Sequence, residues 1–520
     1  CYLSSIHTID QMGEFLSTHQ DKKGIAFGGL QRQTLADRKT LVAKTLAALR
    51  GAVSSNRRVI AHYNDHDDAL TFASSKWARE LSALGTSCPD HFLRTRVCPL
   101  FLDWDPAKQS AADLKAAIQK EVPEYRAAYE KYYKDWASSD SPKLRDSNPS
   151  LVIVPGLGLF GFGKNKKEAR ITTEFFINAI HVMAGANALE DGEVSHPLPQ
   201  ARHAEQSAQF KYFHNYVALP RSEAFRIEYW ALEEAKLQRM PAEAEFSRKV
   251  ALIVGGASGI GREAAVLLAR KGAHVVIADS DEAGAKKAAE QIASLAGSEA
   301  VTYDVANLSS AESLREAIRH TILQFGGIDV VINTAAIYPV PGPDGELSDA
   351  QWAKTFEVNI TGNYLLARAT EWVLRDQNLT AAIVLTSSGN AVVPKNGSEA
   401  YDTSKAALSH LIRELAVRFG PIARVNGIAP ATVVAGSTMF PRDRVIQSLQ
   451  KYKIAFSESD STEALRDKLA DFYAQRTLGK RPITPEICAA AIVWLASEQS
   501  ARTTGHVIPV DGGLVEAFLR

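Results

Sequence analysis

The fold of the second half of this 520-residue chain is decided by one stretch, Val250-Ala-Leu-Ile-Val254-Gly255-Gly-Ala-Ser258-Gly259-Ile260-Gly261. Its opening run of apolar residues indicates a strand that is buried on both faces. Glycines follow at once, and residues 262–271 then have the composition of a helix. A strand that passes through a glycine turn directly into a helix is the first part of a β-α-β unit. The stretch therefore predicts an α/β domain with a parallel sheet.

The same alternation continues to the end of the chain. Short apolar runs are separated by helical patterns and lie at residues 275–278, 330–332, 382–385 and 507–510. Strands that alternate with helices form a parallel sheet covered on both faces. Residues 241–248, which precede the first strand, are poor in apolar side chains and are interpreted as a linker. We therefore expect one α/β domain over residues 248–520.

The glycine loop is suited to hold the pyrophosphate of a dinucleotide. Glycine lets the backbone turn tightly and approach a phosphate, and the helix that follows offers free N–H groups and a partial positive charge. The residues expected in this seat are Gly255, Ser258, Gly259, Ile260 and Gly261. A glycine turn with a purely structural role is the alternative.

Two acids follow the next two predicted strands. Asp279 closes the first of them, where a carboxylate accepts hydrogen bonds from ribose hydroxyls and repels a 2′-phosphate. NAD is therefore favoured over NADP. Asp304 follows the second strand and could reach the adenine amino group. A simple turn or cap residue is the alternative for both acids.

A second set of residues is suited to proton transfer. Tyr401 and Lys405 are four positions apart, so on a helix they share one face. A nearby ammonium is expected to lower the pKa of the phenol from about 10, which would make Tyr401 a general acid or base. Ser388 could donate to the substrate oxygen, and Asn359 could hold a water that relays the proton outward. An ordinary surface pair is the alternative for tyrosine and lysine alone.

Residues 248–520 resemble the short-chain dehydrogenases/reductases throughout. The resemblance rests on the glycine loop, the residues above and four further motifs: Asp304-Val305, Asn333-Thr-Ala335-Ala, Arg424-Val-Asn-Gly-Ile-Ala-Pro430 and Thr504-Gly-His-Val-Ile-Pro-Val-Asp-Gly-Gly513. It implies a Rossmann-type, doubly wound sheet of about seven parallel strands and a bound nicotinamide cofactor. The chain departs from the family pattern at Val254, Thr334, Ala336 and Ala431, which concerns fine geometry rather than activity.

The resemblance also assigns roles to residues. It implies a catalytic tetrad of Asn359, Ser388, Tyr401 and Lys405. It adds contacts to the cofactor from Asp304, Val305, Asn333, Ala335, Tyr401, Lys405 and Pro430, with the lysine holding the nicotinamide ribose. Residues 432–485 form a charged, helix-like insertion in the region that covers the substrate in this family. Its cations Lys451, Lys453, Arg466 and Lys468 could bind an acidic group, although we prefer a solvated helix face.

The first half is predicted to be a separate α/β region with parallel strands. Strand-like runs lie at residues 58–63, 97–102 and 151–154, and helical patterns at 109–138 and 168–190. Residues 1–20 read as one amphipathic helix.

Three features of this half could carry chemistry. Residues 155–167 are rich in glycine and are a structural turn, a phosphate seat or a second dinucleotide loop. His91, Arg94 and Arg96 could bind a sugar phosphate, with structural roles as the alternative. His62 and His66 have a spacing that is more often incidental than metal-binding, so we expect no metal site.

The order of these segments resembles the bifunctional rhamnulose-1-phosphate aldolase/alcohol dehydrogenases. That family places a class II aldolase domain first, then a connecting α/β region and then the dehydrogenase, and its aldolase binds zinc through a His-x-His pair. No His-x-His occurs here, and the chain begins with Cys1 rather than methionine. We therefore expect a fragment in which residues 1–20 are the tail of a truncated aldolase domain and 21–243 a connecting domain. Such a chain should not cleave a ketose phosphate.

Composition excludes several classes of function. Lys and Arg together number 59, as do Asp and Glu, so no bulk charge favours nucleic acid or an anionic membrane. Four cysteines make no disulfide framework and favour the reducing cytoplasm. No apolar run approaches the ~20 residues needed to span a bilayer.

The sequence thus predicts an NAD-dependent oxidoreductase, expected from the resemblance to be a homo-oligomer. Its small-molecule substrate would be a hydroxyaldehyde such as lactaldehyde, in rhamnose-type sugar catabolism. The alternatives are a zinc aldolase whose active site is missing and a non-catalytic NAD-binding module.

Overall fold

The structure is a computed structural model that describes residues 2–20, 26–189, 216, 218–342 and 345–518. The chain divides into two compact units. The first unit comprises Cys1–Thr45 and Ala52–Ala242, and the second comprises Leu46–Gly51 and Glu243–Arg520.

The first unit contains a four-stranded sheet. Its strands are β1 (Ile60–Asn64), β2 (Leu100–Phe101), β3 (Leu151–Val154) and β4 (Gly158–Gly163). They lie in the order β1-β4-β3-β2, with β2 parallel to β3 and with β4 antiparallel to both of its neighbours. The prediction of parallel strands holds for β2 and β3 and is wrong for the sheet as a whole, because it missed the antiparallel strand β4. The glycine-rich residues after β3 form a tight hairpin, and a helical crossover would be needed to keep the next strand parallel.

Helices precede, separate and follow these strands along the chain. They are α1 (Tyr2–His19), α2 (Arg38–Ala52), α3 (Asp67–Ser74), α4 (Ala78–Leu84), α5 (Phe92–Thr95), α6 (Ala111–Trp136), α7 (Lys166–Ala188), α8 (Arg221–Glu228) and α9 (Ala231–Gln238). The predicted helices at 109–138 and 168–190 are confirmed as α6 and α7 with slightly shifted ends. Phe176, Ile180 and Met183 of α7 are buried in the same core as Leu151 and Ile153 of β3.

The second unit is built on a seven-stranded parallel sheet. Its strands are β5 (Val250–Val254), β6 (His274–Asp279), β7 (Val301–Val305), β8 (Val330–Asn333), β9 (Ala381–Thr386), β10 (Ala423–Pro430) and β11 (Val507–Val510). They lie in the order β11-β10-β9-β8-β5-β6-β7, and every neighbouring pair is parallel. The doubly wound, Rossmann-type sheet is thus confirmed. The strand order reverses between β5 and β8, and such sheets bind ligands at the carboxyl ends of the strands beside this point.

The helices of the second unit lie between successive strands along the chain. They are α10 (Gly259–Arg270), α11 (Glu282–Ala296), α12 (Ala311–Phe325), α13 (Asp349–Phe356), α14 (Gly362–Gln377), α15 (Glu399–Phe419), α16 (Arg442–Lys451), α17 (Thr462–Ala474) and α18 (Pro485–Ala496). A π-helical turn, Glu357–Thr361, joins α13 to α14. Small residues such as Ala264 of α10 and Ala489 of α18 lie in the core with Ile253 of β5, which lets these helices approach closely.

The insertion at 432–485 folds as two amphipathic helices with a small core of their own. Val445 and Leu449 of α16 are buried with Leu465 and Leu469 of α17. In the part of the chain that the structure describes, none of the helices is both long enough and apolar enough to cross a bilayer.

Candidate active site

The glycine loop between β5 and α10 has a geometry that only glycine permits. Gly255 has φ +80°, and a Cβ atom there would lie 2.5 Å from the backbone nitrogen of Ala335. A Cβ on Gly261 would lie 2.0 Å from the carbonyl oxygen of Gly255. Ser258 is the N-cap of α10, and its side chain accepts no hydrogen bond from the helix. The first N–H groups of α10 are therefore available to an anionic group.

Asp279 stands at the mouth of this loop. One carboxylate oxygen, Oδ2, accepts a 3.0 Å hydrogen bond from the backbone N–H of Ala257. The other, Oδ1, accepts a 3.1 Å hydrogen bond from the N–H of Asp281. These bonds fix the orientation of the Asp279 carboxylate beside the turn.

Asp304 and Val305 end the neighbouring strand β7. The carboxylate of Asp304 accepts a 2.8 Å hydrogen bond from the N–H of Val305 and lies 3.0 Å from Nδ1 of His320. His320 was not predicted from the sequence, because nothing in its local pattern connects a residue of α12 to the end of β7.

Tyr401, Lys405 and Ser388 converge as expected. The first two lie on α15, and Ser388 caps the short turn that follows β9. The buried ammonium of Lys405 donates a 2.7 Å hydrogen bond to the carbonyl oxygen of Thr386 and lies 5.5 Å from the centre of the Tyr401 ring.

Burial controls the titration of this pair. Burial raises the pKa of Tyr401 to about 12, although a hydrogen bond with Ser388 and the charge of Arg444 both favour the phenolate. Burial also lowers the pKa of Lys405 to about 7. The expected lowering of the tyrosine pKa by the lysine is therefore wrong for the protein alone, because desolvation of the phenolate is the larger effect.

Asn359 lies in the π-helical turn and is completely buried. Its Nδ2 donates to the carbonyl oxygen of Ile337 and to Oγ of Ser404, and its Oδ1 accepts from the N–H of Ile337, all at 3.0 Å. Ser404 in turn donates a 2.7 Å hydrogen bond to the carbonyl oxygen of Tyr401. The Asn359 side chain thus ties the loop after β8 to the helix that carries the tyrosine.

A second buried asparagine extends this network. Asn363 of α14 accepts a 2.8 Å hydrogen bond from Nδ2 of Asn333 and donates one of 2.8 Å to the carbonyl oxygen of Asn359. Oδ1 of Asn333 accepts a 3.0 Å hydrogen bond from the N–H of Ala335. Asn363 was not predicted from the sequence. A polar residue on the apolar face of a predicted helix is the signal that could have identified it.

One departure from the family pattern has a structural explanation. Thr334 stands where a second asparagine is usual, and its hydroxyl donates a 2.9 Å hydrogen bond to the carbonyl oxygen of Gly255. The substitution therefore links the end of β8 to the start of the glycine loop.

An open cavity of about 490 Å³ connects the glycine loop to the tyrosine. Of the predicted site residues, it is lined by Gly255, Ser258, Gly259, Ile260, Asp279, Ala335, Ser388, Tyr401, Lys405 and Pro430. The others, Gly261, Asp304, Val305, Asn333 and Asn359, are not among its lining residues. Within the described chain, the structure thus brings the loop and the three polar catalytic candidates to one space, with Asn359 behind it.

Several residues on the substrate side of this cavity were not predicted. The Tyr338 ring lies 4.7 Å from the Tyr401 ring, and its hydroxyl hydrogen-bonds that of Ser398. The Arg444 guanidinium lies 4.5 Å above the Tyr338 ring. These residues come from separate loops and helices, so no local motif could have grouped them.

The cations proposed in the insertion have other surroundings. Arg466 donates to the carbonyl oxygen of Phe440 at 2.9 Å, and Lys468 pairs with Asp460 at 2.7 Å. Lys451 and Lys453 are exposed and do not line the cavity. The exposed positions of Lys451 and Lys453 fit the preferred solvated surface, whereas the side chain of Arg466 is largely buried.

The glycine-rich motif of the first unit is a strand and not a ligand loop. Residues 158–163 form the buried strand β4, and a Cβ on Gly161 would lie 2.2 Å from the carbonyl oxygen of Ala169. These glycines let α7 pack directly on the strand, so their role is structural, although the alternative predicted from the sequence was a turn.

The arginines of the first unit that were considered as phosphate ligands have structural partners. Arg94 pairs with Glu168 at 2.6 Å, and Arg96 lies 4.9 Å from the centre of the Tyr129 ring. Within the described residues, no group of three or more His, Cys, Asp or Glu side chains could hold a metal ion.

Comparison with known proteins gives three matching family models. Aldolase class II, second domain, matches residues 40–237, short chain dehydrogenase matches 249–444, and Enoyl-(Acyl carrier protein) reductase matches 454–515. The chain therefore belongs, through its second half, to the short-chain dehydrogenases, which are NAD(P)-dependent oxidoreductases.

Individual relatives make the assignment more particular. The uncharacterized oxidoreductase YuxG of Bacillus subtilis (strain 168) is 33% identical over 523 residues, which cover 100% of this chain and 70% of that protein. The L-rhamnose 1-dehydrogenase (NAD(P)(+)) of Azotobacter vinelandii is 31% identical over 272 residues, 51% of this chain and 96% of that protein. The crystal structure of levodione reductase is 25% identical, covers 53% of this chain and 100% of that chain, and has a TM-score of 0.45. The chain shares with YuxG the family in which an aldolase class II domain precedes the dehydrogenase.

The expectation that the aldolase part is missing is wrong. The match over residues 40–237 places aldolase sequence in the region that was interpreted as a connecting domain. The absence of a His-x-His motif shows only that one set of metal ligands is missing. The family match extends over a whole segment of helices and strands, so the aldolase domain can be present without that motif.

Proposed function

We propose that this protein interconverts an alcohol and a carbonyl group of a small, sugar-derived hydroxy compound and prefers NAD as its cofactor. One observation carries the proposal: Tyr401, Lys405 and Ser388 line the same cavity as the glycine loop. The name of the Azotobacter relative supports a sugar-type substrate. The resemblance to the bifunctional family supports a hydroxyaldehyde, such as lactaldehyde, among the candidates.

The residues present fit a nicotinamide dinucleotide. The glycine loop leaves no room for a Cβ atom at Gly255 or Gly261 and presents the N–H groups of α10 to a pyrophosphate. We assign the ribose hydroxyls of the adenosine half to Asp279, the adenine to Asp304 and Val305, and the nicotinamide ribose to Tyr401 and Lys405. Asn333, Ala335 and Pro430 would complete the seat at the ends of β8 and β10. When bound, the nicotinamide accepts or supplies the hydride.

The preference for NAD rests on the fixed charge of Asp279. Its two oxygens accept hydrogen bonds from backbone N–H groups, so the carboxylate cannot easily turn away from a 2′-phosphate. Its neighbour Ser280, which also lines the cavity, has no positive charge to offset the repulsion.

Proton transfer is assigned to Tyr401. In the direction of oxidation its phenolate accepts the proton of the substrate hydroxyl, and in reduction its phenol donates that proton to the carbonyl oxygen. Ser388 donates a hydrogen bond to the same oxygen, and the charge of Lys405 stabilises the phenolate. Asn359 positions the helix that carries both residues, and a water relay through it remains a prediction.

Two further expectations are proposals about the whole protein. The cysteines that the structure describes, Cys88, Cys98 and Cys488, are free thiols, which supports a reducing compartment such as the cytoplasm. Assembly as a homo-oligomer remains a prediction from the family resemblance.

An absorbance screen for NADH formation tests the proposed activity. Small hydroxyaldehydes, diols, sugars and sugar acids would be offered to the full chain, with NAD and NADP in parallel. We expect turnover with at least one of these substrates and a higher kcat/KM with NAD. Absence of turnover throughout, in both directions and with both cofactors, would contradict the proposal.

A further inference from the structure

We propose that an anion-binding subsite centred on Lys395 lies beside Tyr401, and that the preferred substrates carry a carboxylate or phosphate group. The inference rests on the proposed function, since it names the substrate class of the same site. It does not follow from the family motifs, because Lys395 belongs to none of them.

The backbone holds Lys395 next to the proposed catalytic residues. Asp402, which follows Tyr401 on α15, accepts a 2.8 Å hydrogen bond from the N–H of Lys395 and a 2.6 Å hydrogen bond from Nδ2 of Asn390. The loop from Ser388 to Lys395 is thereby fastened to the helix of the tyrosine. Ser388, Asn390, Lys395 and Tyr401 all line the large cavity.

The charges in this cavity are divided between its two ends. The acids among its described lining residues, Asp279 and Asp281, lie at the end near the glycine loop. The substrate end is lined by Lys395 and Arg444, and no carboxylate of the described residues lines it. A substrate that carries a negative charge would therefore find a complementary field at this end.

A smaller recess continues the cavity on the far side of Lys395. It shares Asn390, Lys395 and Tyr473 with the main cavity and adds two more cations, Arg476 and Arg481. One acid pairs weakly with this group, since a carboxylate oxygen of Glu516 lies 3.6 Å from Arg476. The other nearby acid, Asp402, keeps its charge while it accepts hydrogen bonds from neutral N–H groups with both oxygens. The three cations Lys395, Arg476 and Arg481 therefore outnumber these two acids.

The ammonium of Lys395 lacks a fixed partner. Its side chain is half-buried, and no hydrogen bond or ion pair of its Nζ is found among the residues that the structure describes. Burial and then repulsion by Arg476 lower the pKa of Lys395, while the carboxylate of Asp402 opposes this shift. An anion bound between Lys395 and Arg476 would compensate both the lost solvation and the repulsion.

A kinetic comparison tests the substrate class. Erythritol, erythronate and erythritol 4-phosphate have the same carbon chain and differ in carrying no charge, a carboxylate or a phosphate. For the wild-type chain with NAD, we expect kcat/KM to be at least about tenfold higher for one or both anions than for erythritol. Lys395→Gln should reduce this ratio at least about tenfold, chiefly through KM, and Lys395→Arg should retain most of it. Lys451→Gln removes an exposed cation outside the cavity and should leave all three rates unchanged.

A binding measurement tests the subsite without turnover. Inorganic phosphate or acetate is titrated into the chain saturated with NAD, at constant ionic strength, and the melting temperature is followed. We expect at least one anion to stabilise the wild type and Lys451→Gln, and to stabilise Lys395→Gln much less. The two anions distinguish a phosphate site from a carboxylate site.

The outcomes separate the subsite from the proposed function. Equal stabilisation of the wild type and Lys395→Gln, or an anion-to-neutral ratio that Lys395→Gln does not change, would overturn the subsite while leaving the dehydrogenase intact. Anion binding that depends on Lys395, in a chain that oxidises and reduces nothing, would support the subsite and contradict the proposed function.

Discussion

The ammonium of Lys405 donates a 2.7 Å hydrogen bond to the carbonyl oxygen of Thr386, the last residue of β9. The bond holds the ammonium at the end of the sheet, 5.5 Å from the centre of the Tyr401 ring. A helix residue is thus fastened to a strand at the edge where the glycine loop also lies. The position of the Lys405 amino group is therefore set by the fold before any ligand binds.

Lys405→Met should slow alcohol oxidation at neutral pH by about 100-fold or more, because it removes the amino group that lies 5.5 Å from the centre of the Tyr401 ring and stabilises the phenolate when it is protonated. It should also raise the apparent pKa of the oxidation rate. The measurement is a pH profile of kcat/KM for NADH formation. Lys451→Met, an exposed substitution on α16, is the control and should leave the profile unchanged. A profile of Lys405→Met identical to that of the wild type would contradict the role of Lys405.

The rate of alcohol oxidation should rise with pH. Burial raises the pKa of Tyr401 to about 12, so the phenol is protonated at neutral pH and the fraction of phenolate grows as protons are removed. The phenol is the reactive form for carbonyl reduction, which should therefore weaken at high pH. Measuring both directions between about pH 6 and 10 checks the sign. An oxidation rate that falls across this range would contradict the assignment of Tyr401 as the base.

Asp279→Asn should increase the ratio of kcat/KM with NADP to that with NAD by about tenfold or more, since it removes a fixed negative charge beside the expected 2′-position. Parallel assays with the two cofactors give this ratio. Glu282→Gln, which removes an exposed carboxylate at the start of α11, is a matched control that should change it little. A strong preference of the wild type for NADP would contradict the interpretation of Asp279.

Asn363→Ala should reduce the free energy of unfolding by about 2–4 kcal/mol, because it leaves two buried partners, Nδ2 of Asn333 and the carbonyl oxygen of Asn359, without this hydrogen bond. It should also lower kcat more than it changes KM, since the network positions Tyr401. Denaturant unfolding and steady-state kinetics measure the two effects. Gln291→Ala, at an exposed site on α11, is the control. It should change the free energy of unfolding by no more than about 0.5 kcal/mol and leave kcat and KM unchanged.

The second unit was largely predictable because its decisive signals are local. The apolar run 250–254, the glycine loop and the spacing of Tyr401 and Lys405 each lie within one or two elements, and the parallel sheet follows from their alternation. The hairpin of the first unit was not predicted, because residues 158–163 combine glycines with large apolar side chains and read as a loop.

Contacts between distant segments could not be predicted from sequence patterns. Tyr338 meets Arg444 across more than one hundred residues, and Lys395 shares a recess with Arg476. Neither pair has a characteristic spacing, because its geometry is set by how loops after different strands fold over the sheet edge. The pKa of Tyr401 was misjudged for a related reason, since burial depends on the complete packing around α15.

The most direct test of the account is the activity of Tyr401→Phe. The substitution removes the phenolic oxygen and keeps the ring that packs against Tyr338. We predict that kcat/KM for NADH formation falls by about 1000-fold or more, while NAD still binds with a Kd raised by no more than about tenfold, as expected for the loss of one hydrogen bond to the nicotinamide ribose. Turnover equal to that of the wild type in this variant would contradict the proposed role of Tyr401.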